Sequence, residues 1–285
     1  MRLTILGCGG AAGVPLIGGS WGDCDPDNPR NRRRRASILV DQGARRLLVD
    51  TGPDCRTQLI DAGVQHLDAI LYTHVHADHT HGIDEIRQLN RMQRQVIEAW
   101  GTRDVLDHLV KKFDYIFDPP GTFGDSVAFY KPCLSACELR WGEAFDCHGI
   151  PVLPFGQDHG FSVTTGFRFG DAAYSTDLVN LDDAAFAALE GVKVWIVGCL
   201  QEPEHPTHAH LAKVLEWIDR VGPDRAVLTH LSHRLDYAQL AAKCPKGVEP
   251  AYDGMVIDVP SKTPGSKGGR VGTMGAVLAV LAMTF

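Results

Sequence analysis

At 285 residues, of which 44% are hydrophobic, the chain is long enough to bury a large core, as one large domain or two small ones. A net charge of −7 and a pI of about 6.0 exclude a general affinity for nucleic acid or anionic membrane. One local exception is Arg30-Asn31-Arg32-Arg33-Arg34-Arg35, which reads either as a solvated loop or as a contact for a phosphate or a partner.

The chain opens on a strand-like segment, Met1 to Leu6, with no signal-peptide pattern. With eight scattered cysteines, this predicts reduced thiols in a cytoplasmic protein. Cys133-x-x-x-Cys137 has no second pair at zinc-site spacing, so it is a weak metal signal. Gly7 to Gly13 superficially resembles a dinucleotide loop. The Gly- and Pro-rich segment that follows, Val14 to Trp21, cannot supply the required helix, so no nucleotide cofactor is expected. Ala36–Val40 and Arg45–Val49 predict paired strands joined by Asp41-Gln42-Gly43-Ala44.

Leu67 to Tyr72 reads as a buried strand. Just beyond it lies Thr73-His74-Val75-His76-Ala77-Asp78-His79, with four metal-ligand side chains in six residues. His74 and His76 alternate by two and project to one side in extended backbone. Asp78 and His79 follow once the chain has begun to turn, so one segment can serve two neighbouring metals. Imidazole with carboxylate and no thiolate suits Zn, Mn, Fe or Ni.

Helical spacing follows in Ile83, Ile86, Leu89 and Met92, and again in Val105, Leu106, Leu109 and Val110, with Thr102 as N-cap. From 114 to 150, aromatics and prolines crowd without a sustained period. A pocket-covering insertion, a homodimer surface and an irregular sheet edge all fit, and the pocket reading is slightly favoured. Strands are then predicted over 163–169, 172–175, 192–197 and 225–229, and helices over 182–189 and 209–221. Strand–helix alternation in both halves implies an α/β sandwich of sheets flanked by helices. Residues 260–269 read as a linker. Val271 to Phe285 is apolar and uncharged but shorter than the roughly 20 residues that span a bilayer. The 260–285 tail is left open between an extra strand, a partner-binding tail and a non-native extension.

His74-Val75-His76-Ala77-Asp78-His79 resembles the H-x-H-x-D-H signature of the metallo-β-lactamase superfamily, and further residues resemble the rest of its pattern in order. Asp50 resembles the upstream Asp that orients the metal loop, His159 the third His of the first site, Asp177 the bridging carboxylate and His230 the last ligand of the second site. The resemblance implies a four-layer αβ/βα sandwich over residues 1–259. It implies two divalent ions, Zn or Mn first, held by His74, His76 and His159 and by Asp78, His79 and His230, with Asp177 bridging. A metal-bridging hydroxide would then attack a phosphoryl or acyl centre.

Residues 3 to 259 resemble one branch more closely, the phosphoribosyl cyclic phosphate phosphodiesterases. The resemblance lies in Pro206-Thr207-His208-Ala209-His210-Leu211, Val227 to His233, Tyr252-Asp253-Gly254-Met255 and the Gly-Phe stretch after His159. It implies catalytic roles for Asp78, His208 and Asp50, with His208 protonating the leaving alkoxide or holding a phosphate oxygen. That branch also holds a structural zinc in a cysteine-rich loop. Here the loop has only Cys24, so Cys24, Asp23, Asp25 and His233 would form a poorer site. Arg32, Arg33 and His233 are the expected substrate contacts.

The expected function is a dinuclear-metal phosphodiesterase for a small cyclic or nucleotide-like phosphodiester, with no stable nucleic-acid complex and no membrane partner. The rivals are a ribonuclease Z-like nuclease, disfavoured by the acidic charge, a thioester or lactone hydrolase, and a metal-stabilised metabolite-binding protein.

Overall fold

The computed structural model describes residues 1–260. The first half runs through β1 (Arg2–Gly7), β2 (Ser37–Gln42), β3 (Arg45–Val49), α1 (Cys55–Asp61), β4 (Ala69–Leu71), α2 (Ala77–Thr80), α3 (Arg87–Gln93), β5 (Ile97–Gly101), α4 (Arg103–Lys112), α5 (Asp114–Phe117), the hairpin β6 (Gly121–Phe123) and β7 (Ser126–Ala128), and β8 (Leu134–Glu138). The second half runs through β9 (Phe145–Cys147), β10 (Ile150–Asp158), β11 (Val163–Phe169), β12 (Ala172–Ser175), α6 (Asp183–Leu189), β13 (Val194–Gly198), α7 (Leu211–Val221), β14 (Arg225–Thr229), α8 (Tyr237–Lys243), β15 (Val248–Pro250) and β16 (Val256–Asp258).

Two seven-stranded sheets result, ordered β16-β1-β2-β3-β4-β5-β8 and β15-β14-β13-β12-β11-β10-β9. Each joins an antiparallel meander to a parallel run that starts at β3 in one sheet and at β12 in the other. The strand sequences explain the layering. Ile38, Val40, Leu47 and Val49 point into the core between the sheets, while Leu39 and Leu48 pack under helices on the outer face. Strands apolar on both faces must be covered on both faces. α6, α7 and α8 cover the second sheet the same way, around the fully buried Trp195. The alternation in the sequence thus becomes a four-layer αβ/βα sandwich.

The differences from expectation are local. The segment that opens with Ile83 begins as a 3-10 turn, Ile83–Ile86, before α3, which rotates the stripe and leaves Met92 half exposed. Thr102 stands at the N-cap of α4 but makes no side-chain cap bond. Residues 114–150 form the edge strands β8 and β9 and the separate β6–β7 hairpin, and the cleft described below is lined by other segments. β8 and β9 fit the sheet-edge reading, while residues 126–130 line a separate cavity of about 700 Å³ with Arg87, Arg91 and Arg94. All eight cysteines are free thiols. Among the described residues, no helix is long and apolar enough to cross a membrane. The expectations for the 260–285 tail lie, from residue 261 on, outside the described residues.

The long loop between β1 and β2 is pinned from within. Arg33 is almost fully buried and donates to the carbonyls of Ser232 and Leu235 at 2.8 and 2.6 Å and to Asn31 Oδ1 at 3.1 Å. Buried Asn31 in turn donates to Asp236 Oδ2 at 2.6 Å. The expectation that Arg33 meets a substrate phosphate is corrected: its guanidinium is buried and committed to the Ser232 and Leu235 carbonyls and to Asn31, and it does not line the cleft. Losing a charged donor that serves three buried or part-buried acceptors makes Arg33→Met cost about 1–3 kcal/mol. Urea denaturation should show this as a lower midpoint at unchanged slope, and a loss below about 1 kcal/mol would contradict the assignment.

Candidate metal centre

The carboxyl ends of five strands converge at one rim of the sandwich. β3 leads to Asp50, β4 to His74, β10 to His159, β12 to Asp177 and β14 to His230. Asp50, Asp177 and His230 all adopt left-handed backbone, with φ of 64°, 52° and 55°. Non-glycine residues there are strained by about 1–3 kcal/mol each, a cost usually found where the surrounding structure dictates a side-chain direction. Each reverses the chain at a strand end and turns its side chain back over the rim.

The expected ligands fall into two groups, and a third set, His159, Asp177 and His208, overlaps both. His74, His76 and His159 present one donor atom each within 4.8 Å of one another, and so do Asp78, His79, Asp177 and His230. Asp177 lies between the groups. Its Oδ2 is 3.1 Å from His79 Nε2, and its Oδ1 is 3.2 Å from His230 Nε2 and 4.0 Å from His74 Nε2. Asp78 Oδ2 is 3.2 Å from His79 Nε2 and 3.8 Å from His230 Nε2. All the residues expected as ligands are thus gathered at one place.

Behind them, hydrogen bonds choose the ring orientation. Asp50 accepts from Thr73 N at 2.8 Å, from Thr73 Oγ1 at 2.7 Å and from His79 Nδ1 at 2.7 Å. His79 Nε2 is left facing the centre. His159 Nδ1 donates to the Thr207 carbonyl at 2.7 Å, and His74 Nδ1 donates to Thr73 Oγ1 at 3.0 Å. Gly52 lets the two loops meet: a Cβ there would lie 2.2 Å from the Asp78 carbonyl oxygen. His74 Nε2, His79 Nε2 and both ring nitrogens of His230 are buried without a hydrogen-bond partner. Inward-facing nitrogens without protein donors, beside carboxylates, are what divalent cations need from a protein.

The charges follow the packing. Burial lowers His74, His159 and His208 below the ordinary imidazole range, His208 to about 3, with His230 adding to the effect on His208. His79 is held well above that range because Asp177, Asp50 and Asp78 outweigh its burial. Burial would raise Asp78 and Asp177, but the imidazoles of His79 and His230 hold both low. Asp50 is raised by complete burial against the pull of His79.

A cleft of about 490 Å³ opens beside this rim, walled by Gly10–Gly13, by Leu200, Gln201, His205 and His208, and by His230 and Ser232–Arg234. His208 stacks on His230 at 4.9 Å with 15° between the rings, and its Nδ1 is 3.8 Å from Asp177 Oδ1. It lies outside α7, whose N-cap is His210. His233 also lines the cleft. Arg32 does not; it is exposed, with its guanidinium 5.2 Å above the Trp21 ring. Among the described residues Cys24 joins no metal-ligand group: its thiol lies 3.5 Å from the carbonyls of His233 and Leu235 and 3.8 Å from Arg33 Nη1. A guanidinium thus stands where the poorer Cys24–His233 metal site was expected. The sequence reading missed His205, Arg234 and the Gly10–Gly13 wall. The glycine run was noticed for nucleotides; a Cβ on Gly10 would meet His230 Cε1 at 3.4 Å.

The beta-lactamase superfamily domain profile matches residues 45–231. An octanoyltransferase of Porphyromonas gingivalis is 30% identical over 266 residues, covering 90% of this chain and 52% of that protein. A ribonuclease Z of Bradyrhizobium sp. (strain ORS 278) is 30% identical over 145 residues, covering 50% of this chain and 46% of the enzyme. The chain thus spans about half the length of these curated relatives. Among solved structures, a diphosphatase from the PhnP family is similar at a TM-score of 0.82 and 30% identity, over 91% of this chain and 98% of that one. Zn(2+)-bound PqqB from Methylobacterium extorquens shares the fold at a TM-score of 0.70 and 18% identity, over 91% of this chain and 100% of that one.

Two predictions follow from the hydrogen bonds and charges. Asp50→Ala removes the acceptor that orients His79 and should weaken metal affinity by about 10–100-fold in a chelator-competition titration; unchanged affinity would show that His79 is held by something else. The second concerns metal-free protein. Histidines with lowered values take up protons first in the unfolded chain, so His74, His159 and His208 cost stability as pH falls below the ordinary 6.5. His79, being raised, acts oppositely: its contribution is present below 6.5 and is lost as pH rises through its raised value. The contributions of Asp78 and Asp177 are present above 3.8 and are lost as pH falls through their lowered values. Raised Asp50 and Asp253, the latter to about 6, take up protons first in the folded chain and oppose this; in this window the three lowered histidines are the larger set, so the denaturation midpoint should fall as pH drops from 6.5 toward 3.8, and a rise would contradict these directions.

Proposed function

The chain belongs to the β-lactamase superfamily, in its PhnP branch, as a hydrolase of metallo-β-lactamase fold, and we propose that it is a dinuclear-metal phosphodiesterase acting on a small cyclic or nucleotide-like phosphodiester. The observation that carries the reading is the placement of His208, which lines the cleft, stacks on His230 and brings a ring nitrogen within 4.8 Å of the ligand atoms of His159 and Asp177. His74, His76 and His159 would hold one cation, Asp78, His79 and His230 the other, with Asp177 between them; Zn and Mn suit these donors. When bound, such a pair supplies Lewis-acid polarisation of the phosphoryl group and acidification of water.

The chain's own residues do the rest. Asp50 and Thr73 keep His74 and His79 aimed inward. Asp78, held low by its neighbouring imidazoles, stays a carboxylate at neutral pH and can accept a hydrogen bond from the attacking water. His208, lowered to about 3, stores no proton at rest. Of the two roles expected for it, donating a hydrogen bond to a phosphoryl oxygen is therefore the better supported; a bound phosphate anion would raise its basicity and draw it toward protonating the leaving alkoxide. His233 is the remaining expected substrate contact that lines the cleft.

A second reading has its own support: the 30%-identical structure is described as a diphosphatase, whose scissile bond joins two phosphoryl groups. A ribonuclease Z-like activity rests on sequence similarity over about half of the chain and on a fold shared with the short form of human tRNase Z, and the net charge of −7 weighs against a stable nucleic-acid complex.

The metal-loaded protein should hydrolyse bis(p-nitrophenyl) phosphate and a cyclic ribose phosphate, and not p-nitrophenyl acetate or a thioester. Ester or thioester turnover without phosphodiester turnover would refute the proposal, and a preference for a dinucleoside diphosphate would favour the second reading. His208→Ala should keep the bound metal and lose about 10²–10³ in kcat; loss of metal would make His208 a ligand instead.

A further inference from the structure

A second cluster of ligand-type side chains lies away from the metal centre and shares no residue with it. Glu98 on β5, Cys147 at the end of β9 and His148 in the turn to β10 present one donor atom each, all within 4.8 Å of one another. They sit at a seam between the sheets. β9 is the edge strand of one sheet, and β5 is next to the edge strand β8 of the other. Trp100 and Phe145 stack there at 4.4 Å and hold the two strands together. Alternation explains why Glu98 is at hand: Ile97 and Ala99 pack under the helices, so Glu98 and Trp100 face the other sheet. On β8, Leu134 packs under the helices, so Cys137, in register with Trp100, is on the inner side with Glu98.

The local geometry is held tightly. His148 has left-handed backbone, φ 54°, as do Asp50, Asp177 and His230 of the metal centre. Its Nε2 lies 3.1 Å from Glu98 Oε2, an oxygen that also accepts from Trp100 Nε1 at 2.9 Å. Cys147 is buried, and that burial, with Glu98 and Asp146, pushes its thiol up to about 12.

We propose that Glu98, Cys147 and His148 form a mononuclear site for a zinc-class cation, its fourth position open to water; Cys137 is on the same inner side but outside the group. Thiolate, imidazole and carboxylate together select zinc-like ions over magnesium, calcium or manganese. Tetrahedral zinc at 2.0–2.3 Å from its ligands sets neighbouring donors about 3.3–3.8 Å apart, so the cluster needs only a small contraction. On binding, the Cys147 S–H proton leaves to solvent as the sulfur–metal bond forms, and His148 gives up the Nε2 proton it shared with Glu98 to solvent while Nδ1 takes one up, so that neutral Nε2 forms the nitrogen–metal bond. The ion would clamp the edges of the two sheets.

The dinuclear centre has no thiolate, so thiolate-to-cobalt charge transfer reports binding outside it, and Cys147→Ser assigns the band to this site. Full-length protein stripped with chelator and reloaded with excess Co(II) should show that near-ultraviolet band. The band should persist in His79→Ala and disappear in Cys147→Ser. His148→Asn, which keeps a residue tolerant of left-handed backbone, should weaken cobalt binding at the band by about tenfold or more without lowering the melting temperature of metal-free protein. Absence of the band from the cobalt-loaded wild type, or a band unchanged by Cys147→Ser, would overturn the proposal.

Discussion

The arrangement of the centre depends on one buried carboxylate. Asp50 is almost wholly excluded from water and spends its acceptor capacity on Thr73 and His79. Burial alone would protonate it, and only donors from the chain it organises compensate. The dependence is mutual: the loop carrying His74 to His79 takes its shape from Asp50, and Asp50 tolerates burial because that loop closes over it. The left-handed backbone at Asp50 and the close approach of Gly52 to the Asp78 carbonyl give the contact its geometry.

The same economy of buried polar groups recurs across the rim. Imidazoles are fixed on one nitrogen by main-chain or hydroxyl partners and left bare on the other. Bare inward-facing nitrogens cost stability unless a cation takes them up, so folding and metal loading are coupled. His208 belongs to the cleft wall, and burial together with His230 strips it of its proton. A neutral imidazole beside an anionic phosphoryl group is a hydrogen-bonding device first and an acid only once charge arrives. Either a phosphodiester or a diphosphate presents such a group, so both readings call on the same side chains.

Arg33 shows how a loop can be held without metal or disulfide. Two main-chain carbonyls and an asparagine absorb its guanidinium, and Cys24 packs beside it. That staple presents Gly10 to Gly13 to the cleft, so a residue expected to touch substrate acts instead by placing the wall opposite His208. An arginine run on a loop is legible as charge; which arginine turns inward depends on the acceptors that later parts of the chain bring to it.

From the sequence alone, the alternation of strands and helices, the contiguous ligands His74 to His79 and the ordered later ligands Asp50, His159, Asp177 and His230 were readable. Ligand spacing after a buried strand, and two-residue or 3.6-residue periodicity, are local properties that survive without the rest of the protein. The tertiary structure decided what depends on distant segments meeting. It buried Arg33, set Gly10 to Gly13 against His230, put β8 and β9 at the sheet edges, and brought Glu98 to Cys147 and His148 across the seam. Each of these is settled by which side of a strand faces the other sheet and which buried acceptors a side chain can reach, and those conditions exist only once the two sheets have packed.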